Sequence, residues 1–229
     1  MATIKHKRGT SDPSTSNVAV GELAINTTDG GLFTQTDGGS VVEIGGGGGG
    51  VSSDSDGNTV AGTNAGDSIT SGSGLYNTAF GYDAGTNITT GDRNICLGYE
   101  AGKAVSTHSD VIAIGYKVAE TNISDGNIAI GHQSLQNCKG SANTCVGYNT
   151  MHYPQSGNRV GSYNVAVGDH ALGNGAEVNY SVAVGRQALK LSTTGTNNVS
   201  VGAHSGSDLT TGTNNCLLYT SPSPRDAQL

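Results

Sequence analysis

The stretch Asn164-Val165-Ala166-Val167-Gly168 returns 17 residues later as Ser181-Val182-Ala183-Val184-Gly185, and this phrase decides the fold. Each copy holds a polar residue, a large residue, a small residue, a second large residue and a glycine. Nine copies end at turn glycines that lie 19, 17, 17, 16, 16, 21, 17 and 17 residues apart, namely Gly62, Gly81, Gly98, Gly115, Gly131, Gly147, Gly168, Gly185 and Gly202. A short unit repeated in phase predicts a solenoid of stacked coils.

The phrase alternates as a β-strand does, so that Ile128 and Ile130 share one face while Ala129 lies on the other. We expect the large residues to fill the coil interior. The small residues would then form a close contact between subunits, through the column Ala79, Cys96, Ala113, Ala129, Cys145, Ala166, Ala183 and Ser200. The turn glycine tolerates a positive φ because it has no Cβ.

The second half of the unit carries a weaker pattern, which reads as a shorter strand closed by a glycine turn. The copies are Ile88-Thr89-Thr90-Gly91, Leu191-Ser192-Thr193-Thr194-Gly195 and Leu209-Thr210-Thr211-Gly212. We therefore expect each coil to contain two strands.

Composition agrees with a thin repetitive fold. The 229 residues include 37 glycines, with 34% hydrophobic and 13% charged residues. Eleven Lys and Arg against 18 Asp and Glu give a net charge of −7, which argues against a nucleic-acid partner. No apolar run approaches the ~20 residues of a membrane-spanning helix. We expect an all-β chain, a parallel β-solenoid (β-roll) that needs oligomerisation because each thin coil buries little.

The predicted organisation has four parts. Residues 1–44 form a β-meander, with strands at 21–27, 32–35 and 40–44 separated by Asp-Gly turns. Residues 45–57 are a glycine-rich linker, and residues 58–215 are the β-roll. Residues 216–229 lose the repeat, since the next turn glycine is due at position 219, where Tyr219 stands. This tail resembles a translated sequencing adapter, so we expect it to be irregular and the native protein to continue with further repeats.

The repeats resemble two known classes of protein. The phrases ending at Gly168 and Gly185 are similar to the head repeats of trimeric autotransporter adhesins, which form a parallel β-roll in a three-chain assembly. The units with Thr-Thr-Gly resemble repeats in tail fibres of tailed bacteriophages. Lys7-Arg8-Gly9-Thr10, followed by Gly21-Glu22-Leu23-Ala24-Ile25-Asn26, resembles the start of phage tail fibres, whose first module joins the fibre to the virion.

These resemblances imply a non-enzymatic structural fibre and a homotrimer. It would be made in the host cytoplasm and located in the virion tail. Residues 1–44 would bind a tail or baseplate protein, and the β-roll would extend toward a host surface receptor such as a glycan. The alternative is the head of a bacterial trimeric surface adhesin. A tailspike enzyme and a threonine-array ice-binding solenoid are less favoured, because the coils are short and Thr-Thr occurs on only some of them.

One polar column contains the residues two positions after each turn glycine. Its members are Asp83, Glu100, Lys117, Gln133, Asn149, His170, Gln187 and His204. Asp83 and Glu100 lie one coil apart, which matches the carboxylate spacing of a retaining glycosidase. An exposed polar ladder is the favoured interpretation, and the histidines at 170 and 204 are too far apart for a triad or a metal pair.

Aromatic residues follow the turn glycines at Tyr82, Tyr99, Tyr116 and Tyr148, with His132 between the last two. Stacking between coils is the favoured interpretation, and a glycan-binding strip is the alternative.

Neither a cofactor nor a metal site is expected from the remaining candidates. Cys96 and Cys145 read as small fillers, Cys138 lies in the second half of a coil, and Cys216 belongs to the tail. The segment Asp54-Ser55-Asp56-Gly57-Asn58 lacks the spacing of an EF-hand loop and reads as a turn.

Overall fold

The structure is a computed structural model that describes residues 6–9, 14, 22–26, 32–35, 41–43, 51–121, 123–152, 160–174 and 177–218. It is all-β, with fifteen strands and no helix among these residues. The chain divides into two compact units, Met1–Val51 and Ser52–Leu229. The all-β prediction is therefore confirmed.

The N-terminal unit is a four-stranded sheet of β1 (His6–Gly9), β2 (Leu23–Asn26), β3 (Leu32–Gln35) and β4 (Val41–Glu43). Strands β2, β3 and β4 pair antiparallel in chain order, as the meander prediction requires. Sequence reasoning missed β1, which pairs parallel with β2. Ala24 and Phe33 are buried, with Val41 packed against them. The Asp-Gly turns and the glycine run 45–50 lie outside the described residues.

The second unit is a parallel β-solenoid. Strands β6 to β15 each pair parallel with the next in a single sheet, and β5 folds back antiparallel on β6 at its start. The strands are β5 (Ser52–Ser53), β6 (Thr59–Ala61), β7 (Thr78–Phe80), β8 (Ile95–Leu97), β9 (Ile112–Tyr116), β10 (Ile128–His132), β11 (Thr144–Val146), β12 (Val165–Val167), β13 (Val182–Val184), β14 (Val199–Val201) and β15 (Cys216–Leu218). The register aligns equivalent repeat positions, so Ala129 lies beside Ala113 and Cys145.

The sequence-based prediction of which strand face points into the coil is wrong. The small-residue column points into the coil, where all eight of its members are completely buried within one chain. The large residues on either side, such as Ile128 and Ile130, point outward and are only partly buried. The prediction of a subunit contact through the small residues is therefore wrong. From β7 to β14 the coil is narrow, and only alanine, cysteine or serine lies under the strand.

The turn glycines behave as predicted. Their φ values lie between +118° and +138°. A Cβ on Gly98 would lie 2.2 Å from the carbonyl oxygen of Gly115 in the next coil, so the coils approach too closely here for any side chain. The sequence analysis did not predict a second backbone requirement, at the position two residues after each turn glycine. Every member of the polar column that begins at Asp83 also has a positive φ, between +49° and +60°.

The interior opposite the strand is filled in two ways. In one coil Gly85 leaves room for Ile88, whose Cδ1 would lie 2.7 Å from a Cβ on that glycine. In another coil Leu135 occupies the position of Gly85, and Cys138 takes the position of Ile88. In the coils described at both positions, a large residue is thus paired with a small one, which keeps the filled volume nearly constant.

Buried asparagines join the coils in a ladder. The Nδ2 of Asn94 donates to Asn77 Oδ1 (3.0 Å) and to the carbonyl of His108 (2.9 Å). The Oδ1 of Asn94 in turn accepts the backbone N–H of Val111 (3.0 Å). The same position is held by Asn58, Asn77, Asn94, Asn127, Asn143, Asn164, Asn198 and Asn215, with Val111 and Ser181 as the two replacements. The conspicuous asparagine of the repeat is therefore a structural residue.

Two further predictions need correction. The Thr-Thr-Gly segments are bends rather than strands, joined to the next coil by bonds such as Thr89 N–H to the Ser106 carbonyl (2.9 Å). Cys216–Leu218, expected to be irregular, forms β15 in register with β14, and Leu217 lies beside Ser200 at the end of the small-residue column. The rest of the tail, residues 219–229, lies outside the described residues.

Candidate functional site

Aromatic rings form a continuous stack at the corner that follows the strands. We call the set Tyr82, Tyr99, Tyr116, His132 and Tyr148 the aromatic ladder. Successive ring centroids are 5.4, 5.4, 5.0 and 4.9 Å apart, with interplanar angles of 10° to 16°. Because the strands are parallel and in register, one aromatic residue per coil suffices to build this stack.

The stacking decides what the aromatic ladder can contact. A sugar packs against an aromatic residue through the flat face of the ring. Along the ladder each inner face is covered by its neighbour, and the tyrosines are 44% to 49% exposed. The exposed part is therefore mainly the ring edges and phenol oxygens. The ladder offers a row of hydroxyl groups about one coil apart, and a flat apolar surface only at its ends.

The polar column beside the ladder contains a linked set of charges. Glu100 accepts from Lys103 at 2.9 Å through Oε1, and its Oε2 lies 2.8 Å from Lys117 Nζ. Lys117 also reaches Glu120 at 3.0 Å, and Lys103 lies 3.6 Å from Asp83. The prediction of an exposed ladder is wrong for Glu100, which is only 8% exposed.

These ion pairs bear on the glycosidase interpretation. A glycosidase acid needs a carboxyl group whose pKa is raised. Hydrogen bonds from Lys117 and Lys103 instead hold the pKa of Glu100 below its usual value, and the pKa values of both lysines are raised by the same contacts. Lys103 also lies between Asp83 and Glu100, so the pair behaves as ion-paired carboxylates.

The histidines at 170 and 204 remain separate, as the sequence indicated. His170 Nδ1 bonds to the Asp169 carboxylate, whereas His204 lies on a different coil beside Arg186 (3.3 Å). Among the described residues, no group of three or more His, Cys, Asp or Glu side chains is arranged to hold a metal ion.

The cysteines are core residues, with one exception. Cys96, Cys138 and Cys145 are buried free thiols, while Cys216 is exposed. Burial raises the pKa of Cys96 to about 12 and that of Cys138 to about 11. Thiols held protonated in this way are poor nucleophiles, which supports their interpretation as small fillers.

Asp54 lies in a turn, as predicted, and it has a structural task. Its Oδ1 accepts the backbone N–H groups of Asp56 (3.0 Å) and Asn58 (2.8 Å), and its Oδ2 accepts Asn58 Nδ2 (2.9 Å). The bonds to Asn58 repeat those that each ladder asparagine makes to the next. Asp54 therefore caps the first end of the asparagine ladder, and the bonds to Asn58 lower its pKa.

The strands present an apolar surface that the sequence assigned to the interior. We call it the outer face, formed by the residues on either side of the small-residue column in β7 to β14: Thr78, Phe80, Ile95, Leu97, Ile112, Ile114, Ile128, Ile130, Thr144, Val146, Val165, Val167, Val182, Val184, Val199 and Val201. Val165, Val199 and Val201 are 36% to 39% exposed, and the others are partly buried by their neighbours in adjacent strands. A contiguous, partly exposed apolar face of this kind is uncommon on a soluble monomer.

Comparison with protein-family models, with curated proteins and with solved structures finds no match to this chain. The described part of the chain contains no helix that is long and apolar enough to cross a membrane.

Proposed function

We propose that this chain is a structural fibre protein of a phage tail, which attaches to the virion through residues 1–44 and extends a trimeric β-roll toward the host receptor. The observation that carries the proposal is the outer face. Fourteen of its sixteen residues are apolar, and it runs along the solenoid from β7 to β14. A monomer that exposed such a surface would tend to aggregate, whereas a fibre of several chains covers it.

The trimer interface is therefore assigned to the outer face and not to the small-residue column. Three sheets that meet around a common axis would bury the isoleucine and valine rows against one another. The aromatic ladder and the polar column follow the turn glycine, at or just beyond the ends of the strands, and they would remain available to a receptor. The proposal of three chains, rather than another number, rests on the resemblance to trimeric adhesins and phage fibres.

The receptor contact is proposed along the aromatic ladder. Its row of phenol hydroxyls suits hydrogen bonding to the hydroxyl groups of a surface glycan. The proposal gives the chain no catalytic role, in keeping with the ion pairs of Glu100. The protein would be synthesised in the host cytoplasm and assembled into the virion tail.

Light scattering during size exclusion of the full chain tests the assembly. We expect the mass of three chains, and a folded monomer at micromolar concentration would overturn the assigned interface. An antiserum against the chain should label tails when purified virions from the source material are viewed by electron microscopy. Labelling of bacterial surfaces in place of virions would favour the alternative, the head of a trimeric surface adhesin, which would use the same outer face.

A further inference from the structure

Unpartnered buried polar atoms collect at one corner of the solenoid. In the described part of the chain, five buried side-chain atoms have no hydrogen-bond partner. One of them, Glu100 Oε2, is in contact with a lysine, and another is Ser192 Oγ. The other three belong to two neighbouring coils: His132 Nδ1, Asn149 Oδ1 and His152 Nδ1. Buried polar atoms are seldom left unsatisfied, so their grouping needs an explanation.

The backbone brings these three residues together. The N–H of Asn149 donates to the carbonyl of His132 at 2.9 Å. Asn149 has the same left-handed conformation as Glu100 and Lys117, with φ of +49°. Each of those two residues contacts the side chain three positions later, at 2.9 and 3.0 Å. The residue three positions after Asn149 is His152. Its imidazole bonds to the backbone of Gln133, the residue after His132, and it is near enough to His170 and His132 for their charges to interact.

The neighbouring residues fix the ring of His132 and place no side chain at one position beside His152. The ring of His132 is held between Tyr116 and Tyr148, with centroid distances of 5.0 and 4.9 Å, so its Nδ1 has a fixed direction. In the next coil, Gly173 occupies the position equivalent to His152. That position therefore carries no side chain above the imidazole of His152.

The chemistry of the three atoms indicates a cation. With both imidazoles protonated on Nε2, each Nδ1 has a lone pair, and Asn149 Oδ1 is also an acceptor. One water molecule donates two hydrogen bonds, so it would leave one of the three acceptors unsatisfied. One divalent ion could bind all three, and two neutral imidazoles with an amide oxygen suit zinc, nickel or cobalt better than calcium or magnesium.

We propose that His132, His152 and Asn149 form a binding site for one divalent transition-metal ion on each chain, with water completing the coordination. The site links two successive coils next to the long insertion that separates Gly147 from Gly168. Metal binding there would fasten the coils together at the point where the repeat spacing departs most from 17 residues.

Calorimetric titration of the untagged full chain with zinc at pH 7.5 tests the proposal, and visible absorption with cobalt reports on the coordination. We expect one ion per chain. His152→Gln should weaken binding at least tenfold, and His132→Phe should do the same while it keeps the ring stack. Asn149→Asp should tighten binding because a carboxylate replaces the amide oxygen. The matched control His204→Gln should bind as the parent chain does.

The circular dichroism spectrum and the thermal midpoint without metal establish that each variant is folded. If zinc does not saturate the parent chain below about 1 mM, the proposed metal site is wrong. The same conclusion follows if both histidine variants fold and bind zinc as tightly as the parent. An increase in affinity for Asn149→Asp, together with losses for the histidine variants, would assign all three ligands.

Discussion

The two faces of the solenoid strands differ in a way that reverses the usual rule for proteins. The inner face carries alanine, cysteine and serine, and the outer face carries isoleucine, valine and leucine. In a thick domain the larger apolar residues would be inside. Here the interior is so narrow that volume decides the orientation, and the more hydrophobic face is left partly exposed on the outside, where the proposed trimer would bury it. The comparison teaches that a thin solenoid separates its folding core from its assembly surface.

The largest effect should come from enlarging the inner face. Ala129→Leu places three additional carbons between Ala113 and Cys145, in the part of the column from Ala79 to Ser200 where all eight residues are fully buried. Overpacking of a well-filled core usually costs 1–3 kcal/mol, and we expect at least about 3 kcal/mol here because the backbone of adjacent coils cannot separate. Denaturant unfolding measures the change. The control Ala203→Leu, at an exposed position, should shift stability by about 0.5 kcal/mol or less.

Removal of one step of the asparagine ladder should have the next largest effect. Asn94→Ala leaves the Val111 N–H, the His108 carbonyl and Asn77 Oδ1 without their bonds to this side chain. We expect a loss of about 2 kcal/mol in thermal or denaturant unfolding. Asn87, an exposed residue that bonds to the Lys103 carbonyl, provides the control. If Asn87→Ala costs as much as Asn94→Ala, burial of the ladder is not the source of its contribution.

Neutralising Glu100 should cost less and should change the pH dependence of stability. Glu100→Gln removes two ion pairs, and we expect a loss of about 1 kcal/mol at neutral pH. The folded-state pKa of Glu100 lies below its ordinary 4.5, so its contribution is present above pH 4.5 and is lost as the pH falls through the lower folded value. Thermal midpoints from pH 7 to pH 3 should converge for parent and variant in acid. The exposed Glu177→Gln is the matched control, and parallel curves for parent and Glu100→Gln would contradict the assignment.

The smallest effect on the fold of one chain should come from the outer face. Ile130→Ser removes apolar surface that is already partly exposed, so the unfolding free energy of a dissociated chain should fall by about 1 kcal/mol or less. Assembly should respond far more strongly, with loss of the trimer in light scattering for the double variant Ile114→Ser/Ile130→Ser. If the double variant stays trimeric while Ala129→Leu dissociates without unfolding, the interface lies elsewhere.

The sequence predicted the period, the strands that lead into the turn glycines and the turn glycines themselves, because these depend on local chemistry repeated nine times. It did not predict the orientation of the strands. The alternation of large and small residues defines two faces of each strand, but it does not show how wide the coil interior is, and that width decides which face points inward. The exchange of Gly85 and Ile88 for Leu135 and Cys138 was the available signal, since compensating sizes within one repeat indicate a filled interior. Strand β1 was missed because Lys7-Arg8-Gly9 has no apolar alternation and pairs with a distant segment.

The candidate site was predicted in part. The columns of aromatic and polar residues follow directly from the period, and their adjacency is confirmed by the ring stack. The left-handed conformation of the polar column could have been noticed, because that column contains no β-branched residue, the type least tolerant of a positive φ. The burial of Glu100 between two lysines could not have been predicted, because it depends on how side chains of two coils pack together.

The asparagine ladder has a direction, and that direction bears on how the protein is made. Asp54 stands before Asn58, and each ladder asparagine then offers its Oδ1 to the coil that follows it in the chain. A ribosome releases the N-terminal coils first. Except after Val111, each new coil of the described ladder thus meets a completed one whose side-chain acceptor is already in place. The solenoid can therefore grow by templated addition while translation proceeds, without waiting for the end of the chain.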